Sequence, residues 1–327
     1  MTNRATNALV GLAIGDALGM PTQSLSRQQI ESRYGRITDF EPGPPDQPIA
    51  PGMPAGSITD DTEQALLVAR LLVEGRGRID PGRLAADLLA WEEDMRARGS
   101  LDLLGPSTTR AVAAIAAGEP IDQAGRFGTT NGAAMRITPV GIACGATDLD
   151  ALVDRVVEAA MVTHNTGVAL AGAAAVAAAV SAGIAGGSVA DAVPVAVAAA
   201  ERAVRRGHWV AAADVAARIT WAYDWVGRSP ADDVADLIYR LVGTSVATQE
   251  SVPASFAVLA ARPDDPWAAC TLAASLGGDC DTIAALVGAI AGACGGTFPA
   301  AAERTVYEVN DLPRLDSLAD DLLALRA

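Results

Sequence analysis

Residues 166–190 read TGVALAGAAAVAAAVSAGIAGGSVA, without a single charge. A second uncharged stretch, residues 283–302, reads IAALVGAIAGACGGTFPAAA. By length either could cross a bilayer, which takes about 20 apolar residues. Composition argues otherwise. Ala and Gly dominate over Leu, Ile and Phe, while Gly186-Gly187 and Gly295-Gly296-Thr297-Phe298-Pro299 interrupt or end the stretches. The expectation is a pair of helices buried inside a bundle. Gly288 and Gly292, four apart on one helical face, would let a neighbouring backbone approach closely.

Outward from these stretches the chain reads helical nearly throughout. Residues 80–98, 148–161, 188–206, 210–226, 230–242 and 266–276 repeat apolar positions every three or four residues and begin at or near Asp, Ser or Pro. Aromatic residues make up only 4%, which offers little for a sheet. Residues 41–57 and 119–130 read as loops. No period of about 20–50 residues repeats, so a solenoid is not expected. The fold class expected is all-α, one compact multi-helix domain over residues 1–327.

The 327 residues carry 24 basic groups, all arginine, and a net charge of −15. Without lysine there is no Schiff-base, pyridoxal phosphate or P-loop lysine chemistry. The acidic balance argues against an extended nucleic-acid surface. Cys144, Cys270, Cys280 and Cys294 form no C-x-x-C pair, and His164 and His208 are the only histidines. A zinc site or a disulfide framework is poorly supplied, so a reducing, cytoplasmic setting is expected. Arg4 and Asp16 bracket too short an apolar stretch for a secretory leader.

Five segments are too polar or too glycine-rich for their surroundings. Gly11-Leu-Ala-Ile-Gly-Asp-Ala-Leu-Gly19 sets Asp16 in an apolar helix; a solvated Asp beside a glycine C-cap would also explain it. Ser57-Ile-Thr-Asp-Asp-Thr-Glu-Gln64 opens an apolar run. Asp60 could cap that helix, with Glu63 reaching back. A cap needs one carboxylate, however, and Asp61, Thr59 and Thr62 add further hard oxygens. Gly277-Gly-Asp-Cys-Asp-Thr-Ile283 repeats the pattern with Asp279, Asp281 and Thr282. If the two helix starts converge, four carboxylates would repel and raise one another's pKa. Two divalent cations would balance them, and oxygen donors suit Mg²⁺ or Mn²⁺ better than zinc. Gly128-Thr-Thr-Asn-Gly-Ala-Ala-Met-Arg136 could offer backbone N–H groups and the Arg136 guanidinium to a phosphate, or be an ordinary loop. Thr163-His164-Asn165 precedes the long Ala-rich helix, where His164 is either a ligand contact or a structural hydrogen-bonder.

These segments, in this order, resemble the ADP-ribosylglycohydrolase family, from Gly11 to about Gly295. Leu104-Gly-Pro106, Thr130-Asn-Gly-Ala-Ala-Met-Arg136 and Glu250-Ser-Val-Pro253 look most like a bacterial branch of predicted hydrolases. The resemblance implies an all-α fold around a central binuclear Mg²⁺ or Mn²⁺ cleft. It assigns Thr59, Asp60, Asp61, Asp279, Asp281 and Thr282 as metal ligands. It sets Asn131 and Gly132 nearest the ribose and diphosphate of ADP-ribose, with Arg136 and His164 near them, and gives Asp16 a supporting place at the substrate site.

Two residues depart from the family pattern. Cys280 replaces a Thr at a non-ligand position. Gln23 stands where many members carry a Glu that helps activate water; an amide is no general base, so it would position water or a ribose hydroxyl. Asp60 or Asp61 would then take the proton. The implied reaction is hydrolysis at C1 of the ribose joining ADP-ribose to a protein side chain, a nucleic-acid end or a small molecule. Two rivals stand beside it: a metal-dependent N-glycosidase of a nucleoside-like metabolite, and a non-catalytic ADP-ribose binder. No membrane partner is expected, and the sequence sets no oligomeric state.

Overall fold

The computed structural model describes residues 2–101 and 104–326, so the expected 1–327 domain includes Met1, Asp102, Leu103 and Ala327 outside the described residues. Among the described residues there are helices and loops but no β-strand. Three isolated bridges tie loops together: Leu25 with Gly278, Thr130 with Ala247, and Thr166 with His208.

The two uncharged stretches form the helices Gly167–Ile184 and Cys280–Ala293, both almost wholly buried. Gly167–Ile184 has the length and hydropathy to cross a bilayer, yet 94% of it lies inside the fold. It packs against Val189–Ala203, Leu149–His164 and the short helix Thr138–Ala143. Cys280–Ala293 runs along Thr2–Gly19. Glycine makes that contact possible. A Cβ at Gly11 would overlap the Gly288 carbonyl, one at Gly15 the Ala284 carbonyl, and one at Gly19 the Asp281 backbone. Rising numbers on one helix meet falling numbers on the other, so the pair is antiparallel. The C-terminal end of the first helix, with Asp16, therefore meets the acidic start of the other.

Pro81–Ala97, Leu149–His164, Val189–Ala203 and Pro266–Ala274 lie close to segments read as helical. Two segments differ. Residues 210–214 stay outside Val215–Val226, because the Asp214 carboxylate accepts from the Ala217 N–H and caps the helix there. The 230–242 segment begins its helix only at Val234–Leu237 and then widens into a π turn, Ile238–Val242, whose last carbonyl accepts from Arg218.

The glycine seam yields a stability expectation. Gly288→Ala puts a methyl group onto the Gly11 carbonyl, with backbone rather than a flexible side chain in the way. A loss of about 1–3 kcal/mol or more is expected from overpacking. Urea denaturation measures it, and an unchanged midpoint would show that the two backbones are not held in contact.

Candidate functional site

The helix Asp60–Glu74 is capped by Thr59, not by Asp60 as the sequence suggested. The Thr59 hydroxyl oxygen accepts from the Asp61 N–H. Glu63 does not reach back either: it accepts from Trp91 Nε1 at 2.5 Å and pairs with Arg98 at 3.2 Å. Released from capping, Asp60 and Asp61 are available to a cavity.

Asp16 holds this helix start in place. Its carboxylate is fully buried and accepts hydrogen bonds from four donor groups. The Thr59 N–H and hydroxyl donate at 3.0 and 2.6 Å, and the Thr62 N–H and hydroxyl at 3.1 and 2.5 Å. Burial raises the Asp16 pKa to about 6, against the lowering effect of these bonds.

The second helix start is shaped by Gly277 and Gly278, with φ of +92° and +85°. That left-handed path suits glycine, and a Cβ on Gly278 would strike the Thr244 carbonyl. The Asp279 N–H donates to Thr244 O at 2.8 Å. Its carboxylate caps no backbone N–H; it accepts from the Asn131 amide at 2.5 Å. The Thr282 hydroxyl donates to Asp61 at 3.2 Å and joins the two helix starts. Cys280 is buried with Leu25 and Ile30 and its sulfur accepts from the Gly277 N–H, so it faces no ligand.

A cavity of about 290 Å³ opens where the two starts meet. Gln23, Asp60, Asp61, Asn131, Gly132, Asp279, Asp281 and Thr282 line it, together with Ser24, Ile49, Leu101, Leu104, Gly105, Pro106, Thr108, Thr130, Met135 and Val246. Four residues expected at the ligand are not in its wall. Thr59 and Asp16 lie beneath it, as the buried pair just described. Arg136 is fully buried, donating to Gln64 at 3.2 Å, to Thr163 at 2.7 Å and to the Ala159 carbonyl at 3.3 Å. The guanidinium is braced by these protein groups, and its Nε has no hydrogen-bond partner. His164 is also fully buried: Thr130 Oγ1 lies 3.0 Å from Nε2 and Thr163 Oγ1 2.7 Å from Nδ1. Its ring lies directly behind Gly132, where a Cβ would come within 2.9 Å of it. His164 therefore supports the turn rather than touching the cavity.

Electrostatics separates the two layers. Burial raises the Asp61 pKa well above the ordinary carboxylate range, and repulsion from Asp60, Asp281, Asp16 and Asp279 adds to it. Burial also raises Asp279. Burial lowers Arg136 to about 10 and, with help from the Arg136 charge, pushes His164 well below its usual value. At neutral pH Arg136 is a cation and His164 is neutral. Asp61 Oδ1 is buried without a hydrogen-bond partner, an oxygen suited to a cation. Among the described residues no three acidic, His or Cys side chains are gathered tightly enough around one point to hold an ion as they stand. The donor set itself, four carboxylates and a threonine hydroxyl on one cavity, fits hard divalent cations in charge and in chemistry.

Several site residues escaped the sequence reading. Gln64 bridges Asp60, at 3.1 Å, to Arg136. Ser251 accepts from the Asn131 amide at 2.9 Å; the Glu250-Ser-Val-Pro253 motif was its one signal. The 41–57 loop contributes Ile49, pinned through Gln47, whose amide donates to the Gln23 carbonyl at 2.9 Å. Ser24 sits at φ +60°, rare for a non-glycine residue and often found at functional sites. Such long-range partners leave no local pattern to read.

Fold and site together define an all-helical protein with a carboxylate-walled cavity. The sequence model of the ADP-ribosylglycohydrolase family matches residues 1–327, and the chain belongs to that family. It is 36% identical to the uncharacterised protein YegU of Escherichia coli K12 over 90% of this chain and 88% of that one. It is 35% identical to an uncharacterised protein of Archaeoglobus fulgidus over 99% and 97% of the two chains. The ADP-ribosyl-[dinitrogen reductase] glycohydrolase of Rhodospirillum rubrum is 30% identical over 50% of this chain and 52% of its own. A solved structure of an ADP-ribosylglycohydrolase-related protein complex superposes with a TM-score of 0.71 at 25% identity, covering 99% of this chain and 98% of its own.

Asp16→Ala strips the acceptor from four buried donors on Thr59 and Thr62. Each such donor costs about 1–3 kcal/mol when left unpaired, so a loss of about 3 kcal/mol or more is expected in chemical denaturation of the metal-free protein. A loss under about 1 kcal/mol would mean that water replaces the carboxylate.

Proposed function

We propose that this chain is a divalent-metal-dependent hydrolase that cleaves the glycosidic bond at the anomeric carbon of a ribosyl group. The observation that carries the reading is the convergence of two acidic helix starts, Asp60-Asp61 and Asp279-Asp281, on one cavity. Family membership brings the ADP-ribosyl group on an acceptor as the substrate class. The acceptors it allows are a protein side chain, a nucleic-acid end or a small molecule.

Asp60, Asp61, Asp279, Asp281, Thr282 and Thr59 would hold two Mg²⁺ or Mn²⁺. Bound there, the cations would supply Lewis-acid charge that orients ribose hydroxyls and lowers the pKa of a water. Asp16 accepts the Thr59 hydroxyl proton and the Asp61 N–H donates to the same oxygen, so Thr59, beneath the wall, would offer a cation one remaining lone pair. Asp60 or Asp61 accepts the proton of the attacking water. Gln23 lines the cavity with an amide nitrogen that has no partner in the protein. In this reading it would donate to a water or a ribose hydroxyl, and it cannot take a proton at neutral pH. His164, neutral and buried behind Gly132, takes no part in proton transfer.

Metal binding is the first test. Asp60→Asn and Asp281→Asn are each expected to abolish most of the calorimetric heat of Mg²⁺ or Mn²⁺ binding while circular dichroism stays helical. Unchanged affinity in both variants would remove these residues as ligands. Gln23 gives a second expectation. Gln23→Glu restores a base and should raise kcat on a ribosyl substrate, with a smaller change in KM, by part of the roughly 10²–10⁴-fold ascribed to general-base catalysis. A fall in turnover on every substrate would instead make the amide a specific ligand contact.

A further inference from the structure

A chain of hydrogen bonds runs behind the cavity from Asp60 to the Thr130 turn, with Arg136 in its middle. On one side Arg136 Nη1 donates to Gln64 Oε1 at 3.2 Å, and Gln64 Nε2 donates to the Asp60 carboxylate at 3.1 Å. On the other side Arg136 Nη2 donates to Thr163 Oγ1 at 2.7 Å. Thr163 Oγ1 lies 2.7 Å from His164 Nδ1, and His164 Nε2 lies 3.0 Å from Thr130 Oγ1. The Thr130 hydroxyl donates to Ser107 Oγ at 2.8 Å. Gln64, Arg136, Thr163 and His164 are all buried, and none of them lines the cavity.

Donor and acceptor chemistry fixes the direction of this chain. A guanidinium only donates, so Gln64 turns its carbonyl to Arg136 and its amide hydrogens to Asp60. Burial, with help from the Arg136 charge, keeps the His164 ring neutral, so it carries one proton. Thr163 Oγ1 accepts from Arg136 and gives its single hydrogen to His164 Nδ1. With the ring proton on Nδ1 instead, the hydroxyl hydrogen of a fully buried Thr163 would have no acceptor. The proton therefore sits on Nε2, which donates to Thr130, and Thr130 gives its own hydrogen to Ser107. The unclaimed hydrogen falls to Ser107, which unlike Thr163 keeps some exposure to water.

We infer that Gln64 and Arg136 are positioning residues that tie the Asp60 carboxylate to the His164 ring and the Thr130 turn, so that a cation taken up at Asp60 is felt at the turn. The inference rests on the divalent-cation reading and deepens it. Each bond in such a chain polarises the next, and the ring is held at both nitrogens. The same ring lies against Gly132, where a Cβ would come within 2.9 Å of it. It cannot swing without displacing the turn.

The test uses nitrogen NMR of the full chain labelled in histidine. His164 and His208 are the only histidines, so His208 serves as internal control. In the metal-free protein His164 should be neutral with its proton on Nε2; a proton on Nδ1 would overturn the inference. Mg²⁺ at calorimetric saturation should move the His164 ring nitrogens and leave those of His208 in place. Gln64→Met cuts the link to Asp60. Its Mg²⁺ affinity should fall about tenfold, the effect of one hydrogen bond to a charged group, and the His164 response at saturation should vanish. Thr163→Val cuts the other side: it should bind Mg²⁺ as tightly as the unmodified protein while the ring response is lost. A response that survives in either variant, or an unchanged affinity in Gln64→Met, shows the field of the cation acting without the chain and overturns the inference. If Gln64→Met fails to fold, Thr163→Val decides. Mg²⁺ heat in the unmodified protein with no movement of His164 overturns the inference and leaves cation binding standing. Without Mg²⁺ heat in the unmodified protein, the inference falls together with the Mg²⁺ reading.

Discussion

The seam between Thr2–Gly19 and Cys280–Ala293 is a contact of backbone on backbone, open only to glycine at Gly11, Gly15, Gly19 and Gly288. Its consequences reach the site directly. The seam carries Asp16 on one helix and ends with Gly19 against Asp281 on the other. Asp16 then fixes Thr59 and Thr62, and with them the start of Asp60–Glu74. The relative placement of the two acidic helix starts therefore follows from how closely two helix axes can approach.

Gathering five carboxylates in and under one cavity works against folding, and the surrounding shell offsets much of that cost. Asp16 has four donors, Asp279 has the Asn131 amide, Asp61 has the Thr282 hydroxyl and Asp60 has Gln64. The helix N-termini add favourable dipoles beneath Asp60, Asp61 and Asp281. Arg136 brings one buried positive charge into the same shell, braced by Gln64 and Thr163. Asp61 still keeps an unpartnered oxygen and a strongly raised pKa. That residue of negative charge is what a cation would neutralise.

The site thus has a front and a back. In front are carboxylates, Gln23, the Asn131 turn and an apolar wall. Behind are Asp16, Thr59, Arg136 and His164, each held by protein groups. A neutral His164 wedged between Thr130 and Thr163 gives the turn a rigid floor.

The all-α class was legible in the chain because helical periodicity is local, and because Ala- and Gly-rich runs signal helices that pack closely. The paired aspartates were legible too, since two carboxylates exceed what one cap requires. Tertiary structure decided which neighbour does what. Thr59 rather than Asp60 caps its helix because Asp16, 43 residues earlier, anchors that threonine. Arg136 and His164 face inward because Gln64 and Thr163 meet them there, and Ile49 reaches the cavity because Gln47 ties its loop to Gln23. Spacing along a chain sets the face of a helix on which a side chain lies. Only the packing of distant segments sets whether that face meets a cavity or another helix.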